Sequence, residues 1–237
     1  MAAVAAAALV LAVVAGVTVL VVRDPGPRTL APAPPAADGR STVTVPPTTT
    51  STVAPTTTTQ DPGSLPQTAA FPAATGPAFA SRMAALWSGV VTGSVPSALP
   101  AFFPESAYVE LKQESDPSGD YSGRLVAEYA EDLAAAHALL GPAPTTASLI
   151  GVDVDEAFGH WVPPGTCFNA VGYFEVPDSR VVYSVDGRVA SFGIASMISW
   201  RGEWYVVHLG SVLRSGSGGQ VDRPEAGPGA PTSSSTC

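Results

Sequence analysis

The stretch "SMISWRGEWYVVHLG", Ser196 to Gly210, decides how the chain is read. Two apolar runs flank a short polar turn, the pattern of an antiparallel hairpin. With Arg201-Gly202 as the loop, Ile198 opposes Tyr205 and Ser199 opposes Trp204. One face then carries Ile194, Ile198, Trp200, Tyr205, Val207 and Leu209, and the other carries Met197, Trp204, Val206 and His208. If Glu203 joins the loop through a bulge, Trp200 and Trp204 face each other instead. Sequence leaves both registers open, because a shift of one residue sends every side chain to the opposite face. In either register the aromatics are expected to pair across strands and fill a core. Trp200, Trp204 and His208 remain candidates for a ligand-facing wall.

Upstream, "RVASFGIASMISW" is preceded by Asp186-Gly187, a strong two-residue hairpin signal. Before it, "SRVVYSV", "AVGYFEV" and "ASLIGVDV" each read as a strand. Helical spacing governs the part before that. "PAFASRMAALWSGVV" sets Phe79, Met83, Leu86, Trp87 and Val90 on one side, with Pro77 suited to a first turn. "PESAYVELK" repeats the pattern briefly. In "YSGRLVAEYAEDLAAAHALLG", Leu125, Tyr129, Leu133 and Leu140 share a face, and Gly141-Pro142 ends the helix. Three helices followed by a meander of about five strands predict an α+β domain over residues 77–214, with helices packed on one face of an antiparallel sheet.

The segment "ISWRGEWYVVHL", within roughly Phe79–Leu213, resembles membrane-anchored and secreted actinobacterial proteins with a nuclear-transport-factor-like, cystatin-like terminal domain. The resemblance implies a cone of helices wrapped by a curved sheet and an extracytoplasmic setting. That fold hosts enzymes, binding modules and spacers alike, so it carries no activity with it.

The flanks have a different chemistry. Residues 3–22, "AVAAAALVLAVVAGVTVLVV", hold no charge, and twenty residues at about 1.5 Å each span about 30 Å, a bilayer's hydrocarbon core. We expect a retained signal-anchor within residues 1–24, with secretion after signal cleavage as the alternative. Residues 25–76 read as a disordered linker. Their "STVTVPPTTTSTVAPTTTT", Ser41 to Thr59, is an extended Pro/Thr stalk, either O-glycosylated or bare. Arg23 and Arg28 on their own favour a cytoplasmic C-terminus. The stalk argues for the reverse, a single-pass protein with its folded module outside the cell membrane. The Gly/Pro/Ser-rich residues 215–237 are expected to be a disordered tail.

The formal charge of -9 argues against nucleic acid, whose phosphates need basic counter-charges. Asp153, Asp155, Glu156 and His160 are the one cluster resembling metal or acid–base chemistry, but they lack a recognised ligand spacing. No metal, cofactor or catalytic residue is assigned. His137 is placed on a helix face near the core edge. Cys167 is expected to be an inert thiol, and a bond to Cys237 is disfavoured because it would order a long tail. The reading that results is a membrane-anchored, non-catalytic envelope module that binds an envelope protein or a small apolar ligand. Its alternative is a small enzyme with His160 or His208 as general base in a cone cavity. A histidine beside a buried carboxylate would favour the enzyme, and an interior filled by aromatic side chains would favour the module.

Overall fold

The computed structural model describes residues 60–211 and 218–234. The expected span at 3–22, the stalk up to Thr59 and Cys237 lie outside the described residues. Among the described residues no helix is long and apolar enough to cross a membrane.

Helix α1, Pro77–Thr92, has proline in its first turn and closes on Gly93, whose φ of 62° permits the left-handed cap. It buries Phe79, Met83, Leu86 and Val90, and Trp87 lies 5.5 Å from the Tyr183 ring. Two short helices follow, α2 (Val95–Ala98) and α3 (Glu105–Leu111). The third predicted helix is broken into α4 (Pro117–Asp120), a π-helical turn at Tyr121–Leu125, and α5 (Val126–Ala138). Asp116 caps its start by accepting from the Gly119 amide. Tyr129, Leu133 and Ala136 form the buried stripe of α5.

Six strands make one antiparallel sheet: β1 (Ser148–Asp153), β2 (His160–Val162), β3 (Tyr173–Val185), β4 (Arg188–Trp200), β5 (Glu203–His208) and β6 (Asp222–Ala226). The order is β1-β3-β4-β5, with β2 also on β3 and β6 also on β4. The chain is therefore α+β, as the element pattern predicts. The runs "AVGYFEV" and "SRVVYSV" are one strand rather than two, because Pro177 does not end it. β2 covers β3 at Tyr173–Glu175 and β1 covers it from Arg180 onward. Pro177, which has no N–H to donate, sits in the gap between them.

Both hairpins close on two residues with positive φ: Asp186 (50°) with Gly187 (73°), and Arg201 (54°) with Gly202 (78°). This is the turn whose twist matches that of paired strands. The second turn settles the register, with Ile198 opposite Tyr205, Ser199 opposite Trp204, and Trp200 opposite Glu203. The two tryptophans therefore point to opposite faces of the sheet, and both are fully buried. Trp200 meets Phe103, just before α3, edge-on at 5.8 Å. Trp204 meets Phe71 edge-on at the same separation.

Phe71 belongs to a segment assigned from sequence to the disordered linker, and that boundary is corrected here. Residues 61–76 run across the end of the β4–β5 hairpin. Leu65 O accepts from Trp200 Nε1 at 3.1 Å, while the Gln67 amide donates to Ser199 O at 2.8 Å and accepts from Arg201 N at 2.7 Å. The tail is corrected too: part of it is strand β6, paired with residues 190–193 of β4. Neither segment has an apolar stripe of its own: the first is held by hydrogen bonds to the hairpin end and by the Phe71 ring, the second by pairing with β4. Helices cover one face of the sheet, and the two terminal segments cover part of the other.

Two outcomes follow from this packing. A chain starting at residue 77 loses the three hydrogen bonds just described, worth about 1 kcal/mol each, together with the exposed ones at Asp61, Pro66 and Ala74 and the Phe71 ring contacts. It should melt about 10 °C below one starting at residue 60 by calorimetry, and equal melting points would place the boundary back at Pro77. The second concerns alkaline pH. All six tyrosines have phenols raised above their ordinary value of 10.0, chiefly by burial; Tyr121 reaches about 12. A folded-state pKa above the unfolded one gives stability that is complete below about pH 10 and lost as pH rises toward the folded values. Phenolate absorbance should therefore rise in one cooperative step together with loss of the circular dichroism signal. Ionisation of tyrosines in a still-folded protein would contradict this.

Candidate functional site

A cavity of about 80 Å³ lies between α3 and the helix-facing side of the sheet. Phe103, Tyr108, Leu111 and Lys112 wall it on the helical side, and Tyr173, Glu175, Ser196, Ile198 and His208 on the sheet side. His208 arrives there through a bulge. Met197 pairs with Val206 but Ser196 pairs with His208, so Val207 is an extra residue in β5. Simple alternation put His208 on the Trp204 face, and the bulge carries it across to the cavity wall. His208 is nearly buried, with Nδ1 3.9 Å from a Glu128 carboxylate oxygen on α5.

The chemistry of the cavity centres on Glu175, only 3% exposed. Its Oε1 accepts from Ser196 Oγ at 2.9 Å, and its Oε2 lies 3.4 Å from His160 Nε2. The other ring nitrogen of His160 is 3.2 Å from Phe158 O. Strand β2 makes this meeting: its His160 pairs in register with Glu175 on β3. The sequence cluster around His160 does not come together. Asp155 caps a single helical turn by accepting from Ala157 N, Glu156 accepts from Ala74 N at 2.5 Å, and Asp153 lies exposed at the end of β1. Among the described residues no three His, Cys, Asp or Glu side chains are grouped to hold a metal.

Sequence reasoning missed Glu175, Ser196 and Lys112. Glu175 alternates regularly within "YFEV" and is polar on an inward position, a signal that was available. Lys112, the chain's only lysine, donates to Cys167 O at 3.3 Å, and burial pushes its amine below the usual lysine range. Asn169 is fully buried and donates to Thr166 O and the Tyr173 hydroxyl, both at 3.0 Å, while its Oδ1 finds no donor among the described residues. Burial, with Glu175 nearby, pushes the Tyr173 phenol up. His137 sits where the helical pattern put it, with Nδ1 2.9 Å from Val90 O. Cys167 is corrected: its sulfur is disulfide-bonded, not a thiol.

The paired imidazole and carboxylate are the parts of a general base. The volume opposes that use for any sizeable substrate, since small-molecule sites run to about 300 Å³ and above. A cavity of this size holds a few waters, each needing roughly 10–15 Å³ of such space. Compared with known protein families, curated proteins and solved structures, the chain matches none.

The His160–Glu175 contact is testable by a double-mutant cycle on thermal stability. His160→Ala and Glu175→Gln should each destabilise by about 1 kcal/mol and couple by about 0.5–1.5 kcal/mol, as contacting residues do. Full additivity would mean that the two groups do not interact.

Proposed function

We propose that the chain is a membrane-anchored module of the cell envelope whose folded part lies outside the cytoplasmic membrane and works by binding, without chemistry of its own. The observation that carries the non-catalytic reading is the interior. Trp200, Phe102, Phe103, Tyr129 and Phe192 are all buried to 1% or less, and they fill the space between helices and sheet where a reaction chamber would lie. The apolar run at 3–22 and the Pro/Thr stalk support the anchored placement. The disulfide at Cys167 supports an oxidising compartment, since such bonds persist outside the cytosol. On this reading the α+β unit is the cone-like, cystatin-like module implied by the resemblance at the tryptophan hairpin, and its ligand is an envelope protein or a small apolar molecule.

The His160–Glu175 pair favours a second reading, a small enzyme using that pair as general base. The two readings separate on function in the cell. A binding module keeps its activity when Glu175→Gln leaves it folded, whereas a general-base enzyme loses it.

Topology is tested with two C-terminal fusions of the full chain, one to alkaline phosphatase and one to a green fluorescent protein. Active phosphatase and a dark fluorescent protein are expected. Bright fluorescence with inactive phosphatase would reverse the placement.

A further inference from the structure

We propose that the outer edge of β4, with the Arg180 guanidinium beside it, is a receptor for an extended acidic segment of a partner protein. The chain's own β6 is its resident occupant. β5 pairs with β4 only from Ser196 onward, so residues 188–193 would present an open ladder edge if β6 were absent. An open edge is a template for a further strand. Arg180 projects from β3 on the face away from the helices, and its side chain is fully buried. Its Nη2 donates to Ser191 Oγ at 2.7 Å and meets Glu225 Oε1 at 2.8 Å, and its Nη1 donates to Arg223 O at 2.9 Å. A buried guanidinium needs an anion over it, which makes a carboxylate the required feature of any occupant.

β6 fills this groove imperfectly. Among the described residues Arg180 Nε is buried with no hydrogen-bond partner, although guanidinium binds a carboxylate best side-on through two parallel bonds. Glu225 contributes one oxygen to Arg180 and is 46% exposed. Pro224 has no N–H for the ladder, and Arg223 holds a left-handed φ of 36°. The register passes from Ser191 opposite Glu225 to Gly193 opposite Asp222, so three steps on β6 match two on β4. On the helix-facing side, Leu139, Tyr183, Val185 and Ala190 line a surface cleft of about 440 Å³ that Pro224 and Ala226 border without filling.

The preferred partner follows from these gaps. It is a regular strand with a carboxylate at the position of Glu225, turned toward Arg180, and a large apolar residue next to it, turned toward Leu139 and Tyr183. Alternation along a strand delivers both at once. The proposal rests on the strand geometry and not on the location or activity proposed above, so its failure and the failure of the fusion experiment are distinct results.

The test uses the full chain and its Glu225→Gln variant, with labelled synthetic peptides of residues 218–234 as probes in fluorescence anisotropy. Glu225 is half-exposed, so the variant retains its core. Its β4 amides at 188–193 should exchange hydrogen faster than in the unaltered chain while the remaining strands keep their protection. Loosening the resident strand should raise affinity for the added peptide about ten-fold, the equivalent of one hydrogen bond to a charged group. A peptide carrying Ala226→Leu should bind several-fold tighter again, and one carrying Glu225→Gln about ten-fold weaker. Equal binding by the two chains, equal binding of the unaltered peptide and the one carrying Glu225→Gln, or unchanged exchange at 188–193 would each overturn the proposal.

Discussion

The left-handed turn at Arg201-Gly202 sets the faces that β4 and β5 present to each other as far as Val206, and most of the architecture depends on it. With this two-residue loop, Trp200 goes to the helix side and Trp204 to the other side. Had Glu203 entered the loop, both indoles would have crowded one face and left the other without an anchor. Because each face receives a tryptophan, neither can be left to water. The helix side is met by Phe103 and α3. The other side is met by Phe71, on a segment with no amphipathic pattern of its own. The order of a proline-rich entry segment is thus a consequence of strand register.

This explains which parts of the fold were legible in the sequence. The core helices and hairpins announce themselves by period: Met83, Leu86 and Val90 at helical spacing, and Asp186-Gly187 between alternating runs. The hairpin register was readable up to one ambiguity, which the backbone resolved through a positive φ at Arg201. The terminal segments were not readable, because a strand such as β6, with Asp222, Arg223, Pro224 and Glu225, has no apolar face to detect. Its place is determined by the edge it covers. The bulge at Val207 was invisible for a related reason: one extra residue in an apolar run leaves composition unchanged while it moves His208 into the cavity.

The candidate site divides the same way. His160 was picked out for its neighbours in sequence, and those neighbours turn out to serve local caps and loop contacts. Its actual partner, Glu175, lies on another strand and reaches it through ladder pairing. Residues brought together by sheet register are distant in sequence by construction, so a local motif search passes over them. Only the inward position of an acidic residue in an otherwise apolar strand hinted at the site.

Buried polar groups do a consistent job across this molecule. Asp132 on α5 is 1% exposed and accepts from Gly210 N at 3.2 Å and Gln220 N at 2.8 Å, which binds the end of β5 and the start of the tail to one helix. Arg180 holds β6, and Glu175 meets the short strand β2 through His160. Each is an ionisable side chain on a rigid element, and Asp132 and Arg180 engage segments too polar to pack by apolar burial alone. An apolar residue at any of these positions would fill the space and leave the peripheral segment without a determined position. A buried charge, by contrast, is costly unless its partner is in place, and that cost selects one arrangement of the segment over the others. In a unit whose two ends carry little apolar surface, positional specificity has to come from such directed contacts, and the aromatic interior supplies the stability that lets them be kept.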